Sequence, residues 1–451
     1  MSDDYTVAVI GAGASGVISA VALARTTRAE VVLIDPCEPG PGVPYRTTDE
    51  RHRLNVPAGW MSALDDEPDD LVDWCNSVGH QVAADDYLSR RLYGDYLHAL
   101  LRRFCPGDRV RWLRASVDSC SVQGDGVTLG LADGRTLSAA CAVVAIGNPP
   151  LEPIAAGTVV DPRSVVENPW DPAALDVLAS ARSVVVVGTA LTAADVALTA
   201  AGAPSGPRVT LVSRRGQLPE RQIAGAYGND VQLGLSPGTR LEEIVAEVRS
   251  AIDAHPADWR AVIDGLRPHV NRLWAALSVT ERIEFEQLHR HWWDRHRHRL
   301  SPQSAELLDE FIDSGVITVR AGGISGISAG LDGGVLVGFA GGLSVEFDVL
   351  VNATGPGREI RSGRTRLVRQ LLASGLAIPD ATGAGLRTSA SGALVSAAGA
   401  TSRRLYVVGP LRRGELFETT AIGELREQGP LVAEAIEGDA RARAAAFSGQ
   451  P

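Results

Sequence analysis

The feature that most constrains the fold is a glycine-rich turn close to the start of the chain. A β-branched run, Thr6–Ile10, leads into glycines at 11, 13 and 16, and an uncharged apolar segment follows. Such glycines let a pyrophosphate approach the backbone at a helix N-terminus. Asp35 ends the next apolar run 19 residues after the third glycine, where a carboxylate can bind a ribose 2′-hydroxyl. The pattern predicts a βαβ dinucleotide-binding unit that opens a parallel sheet.

A second unit of the same kind begins at Ser183–Val187, which is predicted to form another strand. It keeps the first glycine as Gly188, 177 residues after its counterpart, but Ala190 and Ala193 replace the second and third. An added methyl group at position 190 crowds the path of a pyrophosphate. We therefore expect a second dinucleotide site that binds less tightly than the first.

The acidic residue of the first unit has no counterpart in the second. Ser213, Arg214 and Arg215 stand near the position where it is expected. Guanidinium groups make bidentate, charge-assisted bonds to phosphate oxygens, which favours the 2′-phosphate of NADPH over the hydroxyl of NADH. Two solvated arginines beside a vestigial fold are the alternative interpretation.

Composition excludes several classes of protein. The 451 residues suffice for two to four domains, and 43 basic against 54 acidic residues give a net charge of −11, which disfavours nucleic acid. All basic residues are arginine, so no Schiff-base or Walker A lysine exists. The five cysteines are scattered without a CxxC pair, which argues against disulfides, zinc and dithiol chemistry. The uncharged stretch 7–24 follows two aspartates and contains the glycines, so we expect no membrane segment and a cytoplasmic protein.

The chain resembles the two-dinucleotide-binding-domain flavoproteins. It resembles more closely the bacterial FAD/NAD(P)-binding proteins that include aspartate-type, flavin-dependent amino-acid N-monooxygenases. The resemblance covers nearly the whole chain, because specific segments occur in a specific order and spacing. These segments are GAGASG at Gly11, GVPY at Gly42, LNVPAGWMSAL at Leu54, YLSRRLYGDYL at Tyr87, VVVVGTALTAADVAL at Val184, WDRHRHRLSP at Trp293, VNATGPG at Val351 and VGPLRRGELFETTAIGELREQ at Val408.

The resemblance implies an α/β fold with two Rossmann-like dinucleotide-binding domains and a helical insertion in the second. Residues 1–152 and 346–451 would form the FAD-binding domain. Residues 153–345 would form the NADPH-binding domain, with the insertion at about 240–314. The implied activity is N-hydroxylation of a small amine or acidic amino acid by molecular oxygen through a flavin peroxide adduct, in secondary metabolism.

Particular residues follow from the same resemblance. Asn55 would face the flavin's reactive carbon and help hold the peroxide adduct, whereas the alternative is a turn-forming asparagine. A helix beginning near Thr419 and Thr420 would direct its positive end at the reduced flavin, and an ordinary capped helix is the alternative. The predicted cofactor-binding residues are Gly11, Gly13, Ala14, Ser15, Gly16, Asp35, Asn55, Met61, Val117, Gly147, Gly188, Ala190, Thr192, Ser213, Arg214, Arg215, Gly355, Gly409 and Thr420.

The segment 289–299 is rich in histidine and arginine. Its four histidines have no pair at i, i+4, so the zincin arrangement cannot form and we predict no metal. A solvated or salt-bridged helix is one interpretation and a substrate pocket is the other. In a pocket, Arg290, Arg297 and His298 would recognise a carboxylate substrate, with a wall of tryptophans around Trp274.

Two departures narrow the activity. In the Baeyer–Villiger and microsomal-type pattern a histidine lies four residues before a tryptophan, but here Val166 precedes Trp170 at that spacing. The missing CxxC argues against disulfide reductases. Two alternatives remain: an NAD(P)H oxidoreductase with a non-oxygen acceptor, and a redox-sensing protein that keeps FAD as a structural ligand. Homo-oligomerisation is left open.

Overall fold

The computed structural model describes residues 5–105, 107–155, 157–223, 231–357, 359–362 and 365–448. Valine-rich runs form the buried strands, and alanine-rich segments form the helices between them. The strands are β1 (Thr6–Ile10), β2 (Glu30–Ile34), β3 (Val110–Leu113), β4 (Val117–Gln123), β5 (Gly126–Leu131), β6 (Thr136–Ala139), β7 (Cys141–Val144), β8 (Val165–Val166), β9 (Ser183–Val187), β10 (Arg208–Ser213), β11 (Ile317–Ala321), β12 (Ile324–Ala329), β13 (Val335–Phe339), β14 (Ser344–Phe347), β15 (Val349–Asn352), β16 (Ala393–Val395) and β17 (Thr401–Val407).

The helices begin at recognisable caps. Ser89 accepts from Leu92 N at the start of α3, and Ser278 with Glu281 forms a capping box at the start of α9. Within the described residues, no helix is long and apolar enough to cross a bilayer. The helices are α1 (Ala14–Thr26), α2 (Asp70–Ser77), α3 (Arg90–Phe104), α4 (Pro172–Ser180), α5 (Leu191–Ala201), α6 (Leu241–Ala254), α7 (Trp259–Leu266), α8 (Val270–Ala276), α9 (Val279–Glu284), α10 (Arg290–Arg297), α11 (Pro302–Asp313), α12 (Arg366–Ala373) and α13 (Ile422–Ser448).

The first domain is built on a sheet with the strand order β16-β17-β7-β1-β2-β3. Neighbouring strands are parallel except for β16, which is antiparallel to β17. The C-terminal strand β17 thus pairs with β7 after the chain has passed through the whole second domain. Helix α13 follows it and packs on α1, where a Cβ at Gly429 would lie 3.1 Å from Ile18 Cγ2. The first domain is completed by the end of the chain.

The second domain has a parallel sheet with the order β11-β10-β9-β15-β8. Helices α4, α5 and α11 pack against it, and a small antiparallel sheet, β12-β13-β14, adjoins it. These two sheets confirm the predicted α/β fold with two Rossmann-like domains. The predicted boundary at residue 345 stays a prediction, and the pairing of β15 with β9 favours placing it beyond Asn352.

Helices α6 to α10 lie between β10 and β11 in the sequence and form the insertion, which has a hydrophobic core of its own. Its buried members include Leu241, Val262, Trp274 and Trp293. Phe417, from the C-terminal part of the first domain, is buried in the same cluster. The insertion therefore packs on the chain segment that leads into α13. Helix α11 instead packs within the core of the second domain, before the predicted end of the insertion at residue 314.

Candidate active site

The first glycine turn leaves no room for a side chain at Gly11 or Gly16 and little room at Gly13. Gly11 has φ +97°, and a Cβ there would collide with the carbonyl of Ala145. A Cβ at Gly16 would collide with the carbonyl oxygen of Gly11, and one at Gly13 would lie 3.2 Å from Gly42 Cα. The second of the recognised segments, GVPY, therefore contributes a glycine that packs on the turn. No side chain caps the N-terminus of α1, and the amides of a helix's first turn can bind an anion.

Asp35 is held at the carboxyl end of β2 beside this turn. One carboxylate oxygen accepts from Ala12 N at 2.8 Å, and the other accepts from Cys37 N at 2.8 Å. Each carboxylate oxygen has a second lone pair, so both can accept a further hydrogen bond. The half-buried carboxylate has a fixed orientation suited to a ribose hydroxyl.

The C-terminal segment closes the other side of the turn. Gly409 has φ +85°, and a Cβ there would lie 2.7 Å from Ser15 Oγ. Its amide donates to Gln428 Oε1 at 3.0 Å, and its carbonyl accepts from Thr419 Oγ1 at 3.0 Å. Ser15, Gly409 and the Thr419–Thr420 pair, which are far apart in the sequence, are thus brought together where α1 and α13 begin.

Arg412 supports this junction and was not among the predicted site residues. It is 1% exposed, and its guanidinium donates to the carbonyls of Ser389 and Ala390 and to Thr388 Oγ1. Burial lowers the pKa of Arg412 to about 10. No local sequence signal separates it from the adjacent Arg413, because these three partners are 22 to 24 residues away in the chain.

The remaining predicted flavin residues lie at different depths. Met61 and Val117 are buried in the two core clusters on either side of the first sheet. Gly147 has φ +75° and follows β7, next to the end of β1. Asn55 is half-buried. Its side-chain amide forms no hydrogen bond with any other described residue. Asn55 therefore has donors and an acceptor free for a ligand.

The second glycine turn has the same backbone course as the first. Gly188 N donates to Val212 O at 2.8 Å. Ala190 precedes α5 with φ −82° and ψ −172°, close to the −77° and −168° of Gly13 before α1. The Ala190 methyl group is exposed, whereas Ala193 is fully buried one turn later. Alanine therefore preserves the turn at both positions.

A cleft of about 530 Å³ lies beside this turn, at the carboxyl ends of β9, β10 and β15. Ser213 Oγ accepts from Thr189 Oγ1 and from Gly216 N, both at 3.0 Å. Arg214 and Arg215 are exposed, and Thr192 lies half-buried in the first turn of α5. Gly355, with φ +88°, follows a residue of the cleft wall. The cleft is lined by Ile154, Thr158, Val187, Gly188, Val212, Ser213, Arg214, Gly323, Ile324, Ser325, Gly326, Ile327 and Thr354.

The insertion is hydrogen-bonded to the backbone that leads into α13. Asn271 Oδ1 accepts from the amides of Phe417 and Glu418, both at 2.9 Å, and its Nδ2 donates to Glu418 O at 2.9 Å. Trp274 Nε1 donates to Gly414 O at 2.8 Å. Since α13 begins at Ile422, the insertion is fixed to the chain directly before the junction formed by α1 and α13.

The predicted tryptophan wall stays a prediction. The rings of Trp274 and Trp293 lie 4.9 and 5.7 Å from that of Phe417, inside the insertion. Trp292 is 38% exposed and stacks on His296 at 4.2 Å, and it lines one cavity together with Trp274 and Trp293.

The structure brings the predicted substrate residues to one end of the insertion, but carboxylates already face both arginines. Arg290 donates to Asp294 at 2.8 Å and to Glu286 at 2.9 Å. Arg297 is 3% exposed, with Nε 3.3 Å from Glu418 Oε1. Burial, and then the charge of Arg297, lower the pKa of the partly exposed His298 to about 4. This geometry suits a salt-bridged helix, and substrate binding by these residues stays a prediction.

Among the described residues, no group of three or more His, Cys, Asp or Glu side chains is arranged to hold a metal ion.

Two Rossmann-like units, with a chain that returns to complete the first, define the fold of the FAD/NAD(P)-binding flavoproteins with two dinucleotide-binding domains. Residues 8–149 match the protein family described as FAD-NAD(P)-binding. No curated protein sequence matches the chain.

Solved structures with this fold include three that align over nearly the whole chain. The ornithine hydroxylase of Pseudomonas aeruginosa is 14% identical with a TM-score of 0.66, over 97% of this chain and 99% of that one. The cadaverine monooxygenase of Erwinia amylovora is 14% identical with a TM-score of 0.65, over 96% and 94%. The ornithine N-hydroxylase of Kutzneria sp. 744 is 18% identical with a TM-score of 0.60, over 96% and 99%. At such identities the likeness establishes the fold.

Proposed function

We propose that the protein is an NADPH-dependent FAD monooxygenase that N-hydroxylates a small amine or an acidic amino acid in the cytoplasm. The observation that carries this proposal is the junction where α1 and α13 begin, together with the insertion that is hydrogen-bonded through Asn271 and Trp274 to the chain leading into α13. When bound, FAD would take a hydride from NADPH and pass its electrons to dioxygen, so that one oxygen atom reaches the substrate nitrogen.

The first unit fits FAD. Gly11, Gly13 and Gly16 leave the α1 N-terminus open to a pyrophosphate, and Asp35 is oriented to accept from the adenosine ribose. The amides of the first turn of α13 would direct their partial positive charge at the isoalloxazine edge that becomes negative on reduction.

The second unit fits NADPH. The cleft beside Gly188 is large enough for part of a dinucleotide, and Ser213 and Arg214 line it. Arg215 is exposed next to them, so two guanidinium groups are available for a 2′-phosphate. The exposed methyl group of Ala190 leaves the backbone conformation at the α5 N-terminus unchanged.

The remaining residues would control water and orientation. Asn55 has a free amide with which to hold the reacting oxygen, and the insertion would exclude bulk water from that side. Arg290, Arg297 and His298 are our candidates for substrate recognition, although a substrate carboxylate would have to compete with Asp294, Glu286 or Glu418 for the two arginines. The solved structures of ornithine and cadaverine hydroxylases support an amine as the substrate class.

The test is to load the protein with FAD and measure NADPH oxidation, peroxide release and product with a panel of amines. The panel contains ornithine, lysine, cadaverine, aspartate and glutamate. One of these should accelerate NADPH oxidation, lower the peroxide yield and acquire one oxygen atom on nitrogen, as mass spectrometry would show. Brisk electron transfer to a quinone or dye, with no oxygenated amine from any member, would contradict the proposal and support the oxidoreductase alternative.

A further inference from the structure

A group of buried polar side chains joins the two domains, and none of them lines the cleft beside Gly188. Asp49, His52 and Arg90 belong to the first domain, and Asp195 and Thr199 lie on α5 of the second. The side chains of the four charged or ionisable members are between 6% and 14% exposed. Thr199 is 8% exposed. We call these five residues the interdomain cluster.

Hydrogen bonds determine which partners the Nε2 atom of His52 has in this cluster. Thr199 Oγ1 donates to Asp49 Oδ2 at 2.5 Å, so its single proton is used there. His52 Nε2 lies 2.8 Å from the same hydroxyl oxygen and 3.2 Å from the carbonyl of Asp195, both of which can only accept from it. His52 Nε2 is therefore the donor in both contacts, and Nδ1 lies 2.8 Å from Thr47 Oγ1.

Charged groups complete the contact along α5. Arg90 Nη2 lies 3.0 Å from Asp195 Oδ2, and its guanidinium lies 5.6 Å from the centre of the Trp170 ring. At the C-terminal end of the helix, Arg51 packs so closely on Gly202 that any Cβ there would collide with its guanidinium. A cation in that position also suits the negative end of the helix dipole.

The cluster lies one helical turn from one proposed site and three residues from the other. Asp195 follows Thr192, in the first turn of α5, by three residues, and the α5 N-terminus is the proposed pyrophosphate site. Asn55 follows His52 by three residues. The loop from His52 to Asn55 is fixed by two backbone hydrogen bonds. Arg90 N donates to His52 O and Leu54 N donates to Leu88 O, both at 2.8 Å.

We propose that the interdomain cluster positions the Asn55 loop on α5 and so couples binding of NADP(H) to the oxygen-reactive side of the flavin. The residues of the cluster act as positioning residues, because none of them is among the proposed cofactor-binding residues. A ligand at the α5 N-terminus stabilises one position of the helix. Because the cluster bonds α5 to the loop that carries Asn55, the same ligand also stabilises one position of that loop. The inference rests on the proposed function for the identity of the two cofactors.

The test is hydrogen–deuterium exchange of the FAD-loaded protein with and without NADP⁺, followed in residues 188–192 and 47–56. Wild type should show slower exchange in both segments, by about 5-fold or more in the second if the coupling is of ordinary size. Thr199→Val keeps the shape but removes the hydroxyl. It should keep the protection of 188–192 and lose that of 47–56, and it should divert a larger share of NADPH electrons to hydrogen peroxide.

Two further variants separate positioning from simple destabilisation. Thr199→Ser restores the hydroxyl and should recover wild-type exchange and peroxide yield. Thr26→Val removes a helix threonine hydroxyl that bonds only its own helix, at Ala22 O, and should behave like wild type. If Thr199→Val does not fold, Asp49→Asn weakens the same bond and should give the same selective loss.

Unchanged exchange of 47–56 when NADP⁺ binds to wild type would overturn the coupling, and so would full protection of that segment in Thr199→Val. Absence of any protection at 188–192 would overturn it as well, because the coupling requires NADP⁺ at the α5 N-terminus. If NADP⁺ protects both segments but no amine is hydroxylated, the coupling stands and the proposed function fails.

Discussion

The two glycine turns share their backbone hydrogen bonds but differ in what surrounds them. Gly11 N donates to Ile34 O and Gly188 N to Val212 O, both at 2.8 Å. Each of these glycines also faces a carbonyl just past the end of the neighbouring strand, that of Ala145 in one unit and that of Ala353 in the other. Only the first position of the motif is therefore under the same constraint in both units.

The other two positions differ because of their neighbours. Gly16 packs on the carbonyl of Gly11 and excludes a side chain, whereas a Cβ at Gly13 would lie 3.2 Å from Gly42 Cα and would require that neighbour to shift slightly. In the second unit Ala190 is exposed, and the methyl group of Ala193 is accommodated in the core. A degenerate glycine motif thus indicates a less crowded turn, and by itself it does not indicate a lost site.

The largest expected effect comes from Gly13→Asp. A carboxylate there would meet both Gly42 and the pyrophosphate, so we expect protein without bound flavin, seen as loss of visible flavin absorbance. Ala190→Asp is the matched change in the second unit and should keep FAD while weakening NADPH binding. Gly13→Asp protein that still holds stoichiometric FAD would contradict the assignment of the first glycine turn as the FAD site.

The next effect concerns the phosphate-binding side of the second unit. Arg214→Ala and Arg215→Ala each remove one charge-assisted contact, worth on the order of 1.5–3 kcal/mol, so the KM for NADPH should rise about ten- to hundred-fold. The KM for NADH should hardly change. Arg208→Ala, at the opposite end of β10, is the control and should leave both values alone. Equal losses with both coenzymes would show that these arginines do not read the phosphate.

A smaller effect separates the third positions of the two turns. Ala193→Gly removes a buried methyl group from a helix and should cost about 1–2 kcal/mol of stability, measured by denaturant unfolding. Gly16→Ala adds a methyl group where the Gly11 carbonyl lies and should destabilise the first domain by more than that, with loss of FAD. Equal costs for the two changes would mean that crowding does not distinguish the turns.

The smallest effect is a pH dependence at the second unit. Burial, and then the charge of Arg215, lower the pKa of His291 below its usual 6.5. The unfolded chain therefore binds a proton first as pH falls, so the stability that neutral His291 supports is full above pH 6.5 and declines below it. His291→Gln should flatten the fall of Tm between pH 6.5 and 5, and parallel curves for both proteins would contradict this.

Local sequence predicted the units because their determinants lie within about 30 residues of each other. The run from Thr6 to Asp35 contains a strand, a turn, a helix and a second strand, and each follows from residue type and spacing. That a C-terminal segment completes the first domain came from the family resemblance, and in the structure β17 pairs with β7.

Contacts between distant segments were beyond such reasoning. Asn271 bonds the amide of Phe417 across 146 residues, and His52 lies against Thr199 across 147. Nothing in the neighbourhood of these residues marks them, because asparagine and histidine occur on many exposed surfaces. The histidine–arginine segment 289–299 shows a different limit of local sequence. Its composition suggested a site that binds a substrate carboxylate, but the protein's own Glu286, Asp294 and Glu418 pair with its arginines.

The most direct test of the account is anaerobic reduction of the purified protein by the two coenzymes. The first unit should hold one FAD per chain, and NADPH should bleach its visible absorbance about ten-fold more efficiently than NADH, since only NADPH engages Arg214 and Arg215. Arg214→Ala should remove most of that difference. Protein that takes up no FAD, or flavin that both coenzymes reduce equally well, would contradict the assignment of the two units.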